Sequence, residues 1–128
     1  ITGTVQSKLV VAQAGLYNLQ WSGQFVNVDA AIHEVSIWLR KDSAGNATDI
    51  TGSTGRVSIN AKHDAFDGGG VVGWNYFVEL QANDYVEIWW STPDVDAYLI
   101  TYPAGTSPTR PTTASVIATM TFVSALTA

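Results

Sequence analysis

Two histidines, His33 and His63, are the chain's only imidazoles, and it contains no cysteine. A thiolate nucleophile, a disulfide framework and a Cys-based metal site are therefore all excluded. An enzyme would need a nucleophile beside a base, or a cluster of metal ligands. His33 follows a turn at Asn27 to Ala31 and sits beside Glu34 at a strand start, which reads as a turn or strand-edge role. His63 lies in Lys62-His-Asp-Ala-Phe-Asp-Gly-Gly-Gly, where Asp64 and Asp67 could offer oxygen ligands to calcium. A flexible loop is the plainer reading. Pro93-Asp-Val-Asp offers Asp94 and Asp96 in the same way, with the same alternative. Gly68 to Gly70 lacks the following helix and lysine of a phosphate cradle. A cupin-type jelly-roll enzyme would need clustered His and Glu, and two separated histidines do not supply them. The expectation is a non-enzymatic chain with no catalytic residue, no resident metal and no cofactor.

Aromatic residues are the second candidate chemistry. Trp21, Trp74 and Trp90 fall on apolar rows and are expected in the core. Trp38 and Trp89 face the other way, as a subunit contact or as a platform for a ligand such as a sugar; the contact is the expected role. Asn46-Ala-Thr is a formal glycosylation acceptor, meaningful only in a eukaryotic secretory setting.

The elements carrying these residues have period two almost throughout. Tyr17, Leu19, Trp21 and Phe25 share one face, and Asn18, Gln20, Ser22 and Gln24 the other. Gly23 breaks the apolar row, which usually marks a bulge or a close backbone approach. Val35, Ile37 and Leu39 alternate with Glu34, Ser36, Trp38 and Arg40. Val72, Trp74, Tyr76, Val78 and Leu80 oppose Gly73, Asn75, Phe77 and Glu79. Val86, Ile88 and Trp90 form another apolar row, and Val116, Ala118, Met120 and Phe122 oppose Ile117, Thr119, Thr121 and Val123. Weaker strands are expected at Val5 to Val11, Arg56 to Asn60 and Ala97 to Tyr102. Turn signals fall at Lys41 to Asn46, Asp67 to Gly70, Gln81 to Asp84 and Thr92 to Asp96, with a long crossing loop at Pro103 to Thr113. No stretch carries a capped amphipathic helical pattern. The expectation is one all-β domain over residues 1–128, a sandwich or jelly roll of about eight to ten antiparallel strands.

Composition narrows the partners. Charged residues make up only 13% of the chain, against about 25% in an average soluble domain. Subunit contacts could hide surface that charges would otherwise clothe. The net charge of −5, with six scattered basic residues, argues against nucleic acid and against an anionic membrane surface. No apolar run is long enough to span a bilayer as a helix. Starting at Ile1, the chain is expected to be a processed form, a fragment, or the C-terminal or ordered part of something longer. Solvent faces usually recruit Lys and Glu. The uncharged row Asn18, Gln20, Ser22 and Gln24 reads either as an ordinary solvent face or as a half-buried interface that satisfies hydrogen bonds without desolvating charge. Phe77 and Ile117, on the nominally outer faces of their strands, favour the interface.

Several motifs resemble a known superfamily. Ala14-Gly-Leu-Tyr-Asn-Leu-Gln-Trp-Ser-Gly-Gln-Phe resembles the G-x-Y-x-[FL] strand of tumour-necrosis-factor-like and complement-globular-head-like jelly rolls. Asn83-Asp-Tyr-Val-Glu-Ile-Trp-Trp-Ser resembles their later G-D-x-V-x-L strand, with Asn83 in place of Gly. Val35-Ser-Ile-Trp-Leu-Arg-Lys resembles the intervening strand, and Ser115 to Ser124 the closing strand, which in that family lies beside the Tyr17 strand. The pattern Y-N-L/I-Q-x-S-x-Q … V-x-I-W-L-R-K … W-N-Y-x-V-x-L-x-x-x-D-Y-V-E-I-x-W-S-T … P-x-x-P … I-x-T, found in structural proteins of tailed bacteriophages, is similar to most of residues 13 to 124.

The resemblance implies a ten-stranded jelly roll that forms a homotrimer, located on the virion. The implied roles are capsid decoration protein or head fibre, with a receptor- or glycan-binding tail-fibre tip as the alternative. Implied partners are a second and third copy of the chain, phage capsid or fibre proteins, and, for the tip, a host-surface glycan. The absence of cysteine favours this viral form over the secreted animal members. The expected trimer interface is Asn18, Gln20, Ser22, Gln24, Asn75, Phe77, Ile117 and Thr119, with Trp38 and Trp89 as a further contact or ligand platform.

Overall fold

Eleven strands and no helix form the described part of the chain, residues 8–126 of a computed structural model. In order they are β1 (Leu9–Val10), β2 (Gly15–Asn27), β3 (His33–Ser43), β4 (Asn46–Asp49), β5 (Gly55–Ile59) and β6 (Gly68–Leu80). Then follow β7 (Tyr85–Ser91), β8 (Ala97–Leu99), β9 (Gly105–Thr106), β10 (Thr109–Arg110) and β11 (Val116–Ser124). The expected strand at Val5 to Val11 is seen only as Leu9–Val10; its first residues lie outside the described range.

The pairings are antiparallel and make two main sheets. In the first, β7 lies between β1 and β3, and β4 and β5 follow one another along the far side of β3. In the second, β2 lies between β6 and β11, with β8 continuing the β11 side opposite Phe25 to Asn27. Their inward rows share one core: Tyr17, Leu19, Trp21 and Phe25 from β2, Val35, Ile37 and Leu39 from β3, Val78 and Leu80 from β6, and Val86 from β7. Each fully buried Leu or Phe contributes about 1.5–3 kcal/mol, so slipping β2 by one residue is prohibitive.

Local chemistry sets the ends of these strands. Asn27 is fully buried at the end of β2, where its Nδ2 donates to the carbonyls of Ala31 (2.8 Å) and Ile59 (3.3 Å). Its Oδ1 accepts from the Asp29 N–H at 2.9 Å, so both its donors and its carbonyl oxygen help shape the turn into β3. Ser53 bridges the gap between β4 and β5: its Oγ accepts from the Leu39 N–H at 3.0 Å and donates to the Ile50 carbonyl at 2.7 Å. Asn83 adopts φ of 71°, a left-handed conformation open to Gly and Asn.

Four expectations change. Lys41 to Asn46 is not all turn: only Ala44-Gly45 turn, both at positive φ, and the chain returns as β4. Gly68 to Gly70 is strand, paired with Asn27, Val26 and Phe25, and at Gly68 and Gly69 the backbone of Asn60 and Phe25 comes too close for a side chain. The crossing loop at Pro103 to Thr113 contains the β9–β10 hairpin. Trp74 is half-exposed rather than core, since β6 is an edge strand and the indole lies over Gly55.

Candidate functional site

The eight residues expected at an interface come together on one surface, the outer face of the β11–β2–β6 sheet. Register places Phe77 beside Asn18, Asn75 and Thr119 on either side of Gln20, and Ile117 beside Ser22. Asn18 donates through Nδ2 to Asn75 Oδ1, and Gln24 Nε2 donates to the Gly70 carbonyl at 3.5 Å. Around these amides stand apolar side chains: Val71 is 67% exposed, Phe77 56% and Ile117 60%. Sequence reading missed Val71, because the glycine run hid the start of β6, and Tyr98, whose strand reads weakly; Tyr98 opposes Val26 on β8. Glu79, opposite Leu16, is the one charged residue along the β2–β6 part of this face.

The outer face of the other sheet is built differently. Arg56 donates to Glu34 Oε1 through Nε (3.0 Å) and Nη2 (2.6 Å), and Arg40 lies 3.5 Å from Asp49. Trp38 and Trp89 are directly opposed across β3 and β7, with ring centroids 6.3 Å apart and planes tilted by 34°. The Arg40 guanidinium lies 5.0 Å from the Trp89 centroid, and Trp38 Nε1 donates to Asp49 Oδ1 at 3.0 Å. This half-buried pair is a fixed aromatic surface, and it lies on the opposite side of the domain from the amide row.

Titratable groups meet at one place the sequence did not predict. Asp29 (before β3), His33 (first in β3) and Asp94 (between β7 and β8) converge although 65 residues separate the outer two. His33 Nε2 is 2.8 Å from Asp29 Oδ2 and 3.6 Å from Asp94 Oδ2, so it ties together two loops at one end of the domain. Asp96 lies outside the trio; its N–H donates to Asp94 Oδ1 at 2.9 Å, closing the local turn. Asp64 and Asp67 lie on an exposed loop with His63, where Asp64 takes a left-handed φ of 53° and stands 3.4 Å from the His63 ring.

The hydrogen bond from His33, helped by the Ala30 N–H, holds the Asp29 carboxyl below the usual carboxylate range. A depressed folded pKa favours the folded state above the unfolded value of about 3.9, and that contribution is lost as pH falls through the folded value. In His33→Ala the Asp29 titration followed by carboxyl NMR should move up toward the ordinary range. An unmoved midpoint would show that His33 is not what holds it down. No protein-family model matches the chain, and no curated protein matches it.

Proposed function

We propose that this chain is a non-enzymatic structural protein that assembles as a homotrimer through the outer face of its β11–β2–β6 sheet. The observation carrying this reading is the contrast between the two outer faces. One presents ion pairs and fixed charges; the other presents Asn18, Gln20, Ser22, Gln24, Asn75 and Thr119 among exposed Val71, Phe77 and Ile117. Burying amides costs little when they find partners, whereas burying charges is expensive. A face whose one charge along β2 and β6 is Glu79, at its end, therefore suits an interface. An exposed apolar patch on a domain with so few charges points the same way.

A trimeric jelly roll is the assembly that fits the sequence resemblance. Two details support it: the closing strand β11 runs beside β2, with Phe122 opposite Tyr17, and Asn83 occupies a left-handed position where the family pattern has Gly. The virion surface as location, and capsid decoration or head fibre as role, rest on the likeness to phage structural proteins. In this reading the face around the threefold axis is glued by amide pairing and by packing of Phe77 and Ile117.

A second reading, a receptor- or glycan-binding tip, draws on Trp38 and Trp89. They lie on the face away from the proposed axis and remain half-exposed in such a trimer. The two roles separate on particles and cells. Decoration predicts saturable binding to capsids lacking the protein, at a fixed copy number divisible by three. Attachment to host cells or glycans instead, lost in Trp38→Ala and Trp89→Ala, would replace decoration with the tip.

A further inference from the structure

Asp29, His33 and Asp94 meet where the chain passes between the two sheets. His33 opens β3 of the first sheet, Asp29 follows β2 of the second, and Asp94 lies on the crossing from β7 to β8. One imidazole nitrogen and one oxygen from each carboxylate all lie within 4.8 Å of one another. Backbone bonds fix the frame: the Val28 N–H donates to the Asp96 carbonyl at 3.0 Å, and the Lys62 N–H to the Asp29 carbonyl at 2.7 Å. Each carboxylate is also turned by a backbone donor. Asp29 Oδ1 accepts from the Ala30 N–H at 2.7 Å and Asp94 Oδ1 from the Asp96 N–H at 2.9 Å, which leaves both Oδ2 atoms facing His33 Nε2. A ring nitrogen carries at most one proton, and that proton serves one carboxylate. Asp29 Oδ2, at 2.8 Å, is in reach of it, whereas Asp94 Oδ2, at 3.6 Å, lies beyond a hydrogen bond. No lysine or arginine among the described residues pairs with either carboxylate.

We infer that Asp29, His33 and Asp94 bind a divalent transition-metal ion of the zinc type, in place of that single proton. Bonds of about 2.0–2.2 Å from a tetrahedral zinc set its ligand atoms roughly 3.3 Å apart, between the 2.8 and 3.6 Å separations found here. The imidazole selects against calcium, which takes about six to eight oxygens, and against magnesium, which also prefers oxygen. The His33 side chain is 13% exposed and each aspartate 37%, so the remaining coordination position opens toward solvent. The ion clamps the ends of the two sheets together. This runs against the sequence expectation of no resident metal, which paired Asp94 with Asp96 rather than with His33. The site does not rest on the trimer, because none of its residues lies on β11, β2 or β6.

The test is titration of the whole chain, stripped with EDTA, with zinc chloride at neutral pH, read by calorimetry, melting temperature and histidine ring-nitrogen NMR shifts. One zinc per chain is expected, with a raised melting temperature that EDTA reverses. The His33 Nε2 resonance should move and those of His63 should not. Asp94→Asn keeps the acceptor for the Asp96 N–H but loses the charge, and should weaken zinc by roughly tenfold or more, as should His33→Gln. His63→Ala removes the exposed imidazole beside Asp64 and should leave binding unchanged. Calcium and magnesium chlorides should bind at least roughly tenfold more weakly than zinc. Absence of saturable zinc binding to the unaltered chain would overturn the site. So would undiminished binding in folded Asp94→Asn or His33→Gln, or its loss in His63→Ala, which would place the ion on the exposed pair. Calcium binding as tightly as zinc would overturn the transition-metal assignment. If His33→Gln does not fold, Asp94→Asn and the ring shifts still decide.

Discussion

Phe77→Asp is expected to turn the assembled protein into a folded 13.7 kDa monomer. In the isolated chain Phe77 is 56% exposed on an outer face, so the substitution removes little from the core. Its effect on the fold should stay within about 0.5 kcal/mol, as for other surface changes. In the proposed trimer the same side chain is buried, and three unpaired carboxylates would be desolvated near one axis. The penalty for one such charge is several kcal/mol, enough to dissociate most assemblies. Gln20→Lys should act in the same direction, because Gln20 lies at the centre of the amide row between Asn75 and Thr119. Ser58→Lys, on the charged outer face of the other sheet, should leave the assembly intact. Retention of assembled mass and melting temperature in both Phe77→Asp and Gln20→Lys would remove this face from the interface.

The second large effect belongs to the fold itself. Gly68, Gly69 and Gly70 are consecutive in β6 but tolerate side chains very differently. A Cβ on Gly68 would sit 1.7 Å from the Asn60 carbonyl oxygen and 2.5 Å from its carbon, both backbone atoms that cannot swing away. On Gly69 it would meet the Phe25 carbonyl oxygen at 2.8 Å, and on Gly70 it would meet nothing within 4 Å. Gly68→Ala should therefore destabilise by about 3 kcal/mol or more, at the upper end of overpacking costs. Gly70→Ala should stay within about 0.5 kcal/mol. Denaturant melts of the three alanine variants should rank them in chain order, Gly68→Ala the least stable. Equal melts would mean that β6 does not pass Asn60 as described.

The same glycines show where the sequence was legible and where it was not. Period-two alternation reads β2 and β3 well, because each has one buried face and a register that any slip would invert. It also finds β7 and β11, whose inward residues are mostly only partly buried or exposed. It fails at β6's first turn of residues, where close approach of Asn60 and Phe25 demands glycine and so erases the pattern that marks a strand. Trp74 was misplaced for a related reason: alternation gives the face of a strand but not its position in the sheet, and an edge strand leaves its inward residues half-open. The interface candidates could be grouped from the sequence because all lie on three strands whose faces alternate cleanly. Their mutual register, Gln20 between Asn75 and Thr119, needed the pairing. The Asp29–His33–Asp94 cluster was invisible, since Asp94 reaches His33 only after β3 and β7 have paired.

Function divides along the same line. The low charge and the neutral row are legible as a burial problem, and the structure sets that row against a second outer face carrying Arg56–Glu34 and Arg40–Asp49. That asymmetry leads to the central claim that the chain self-associates through β11, β2 and β6. Its most direct measurement is the mass of the purified chain in solution, by light scattering during size-exclusion chromatography. The account predicts a single species at three times the 13.7 kDa chain mass, unchanged on moderate dilution. A stable, well-folded species at 13.7 kDa would contradict it.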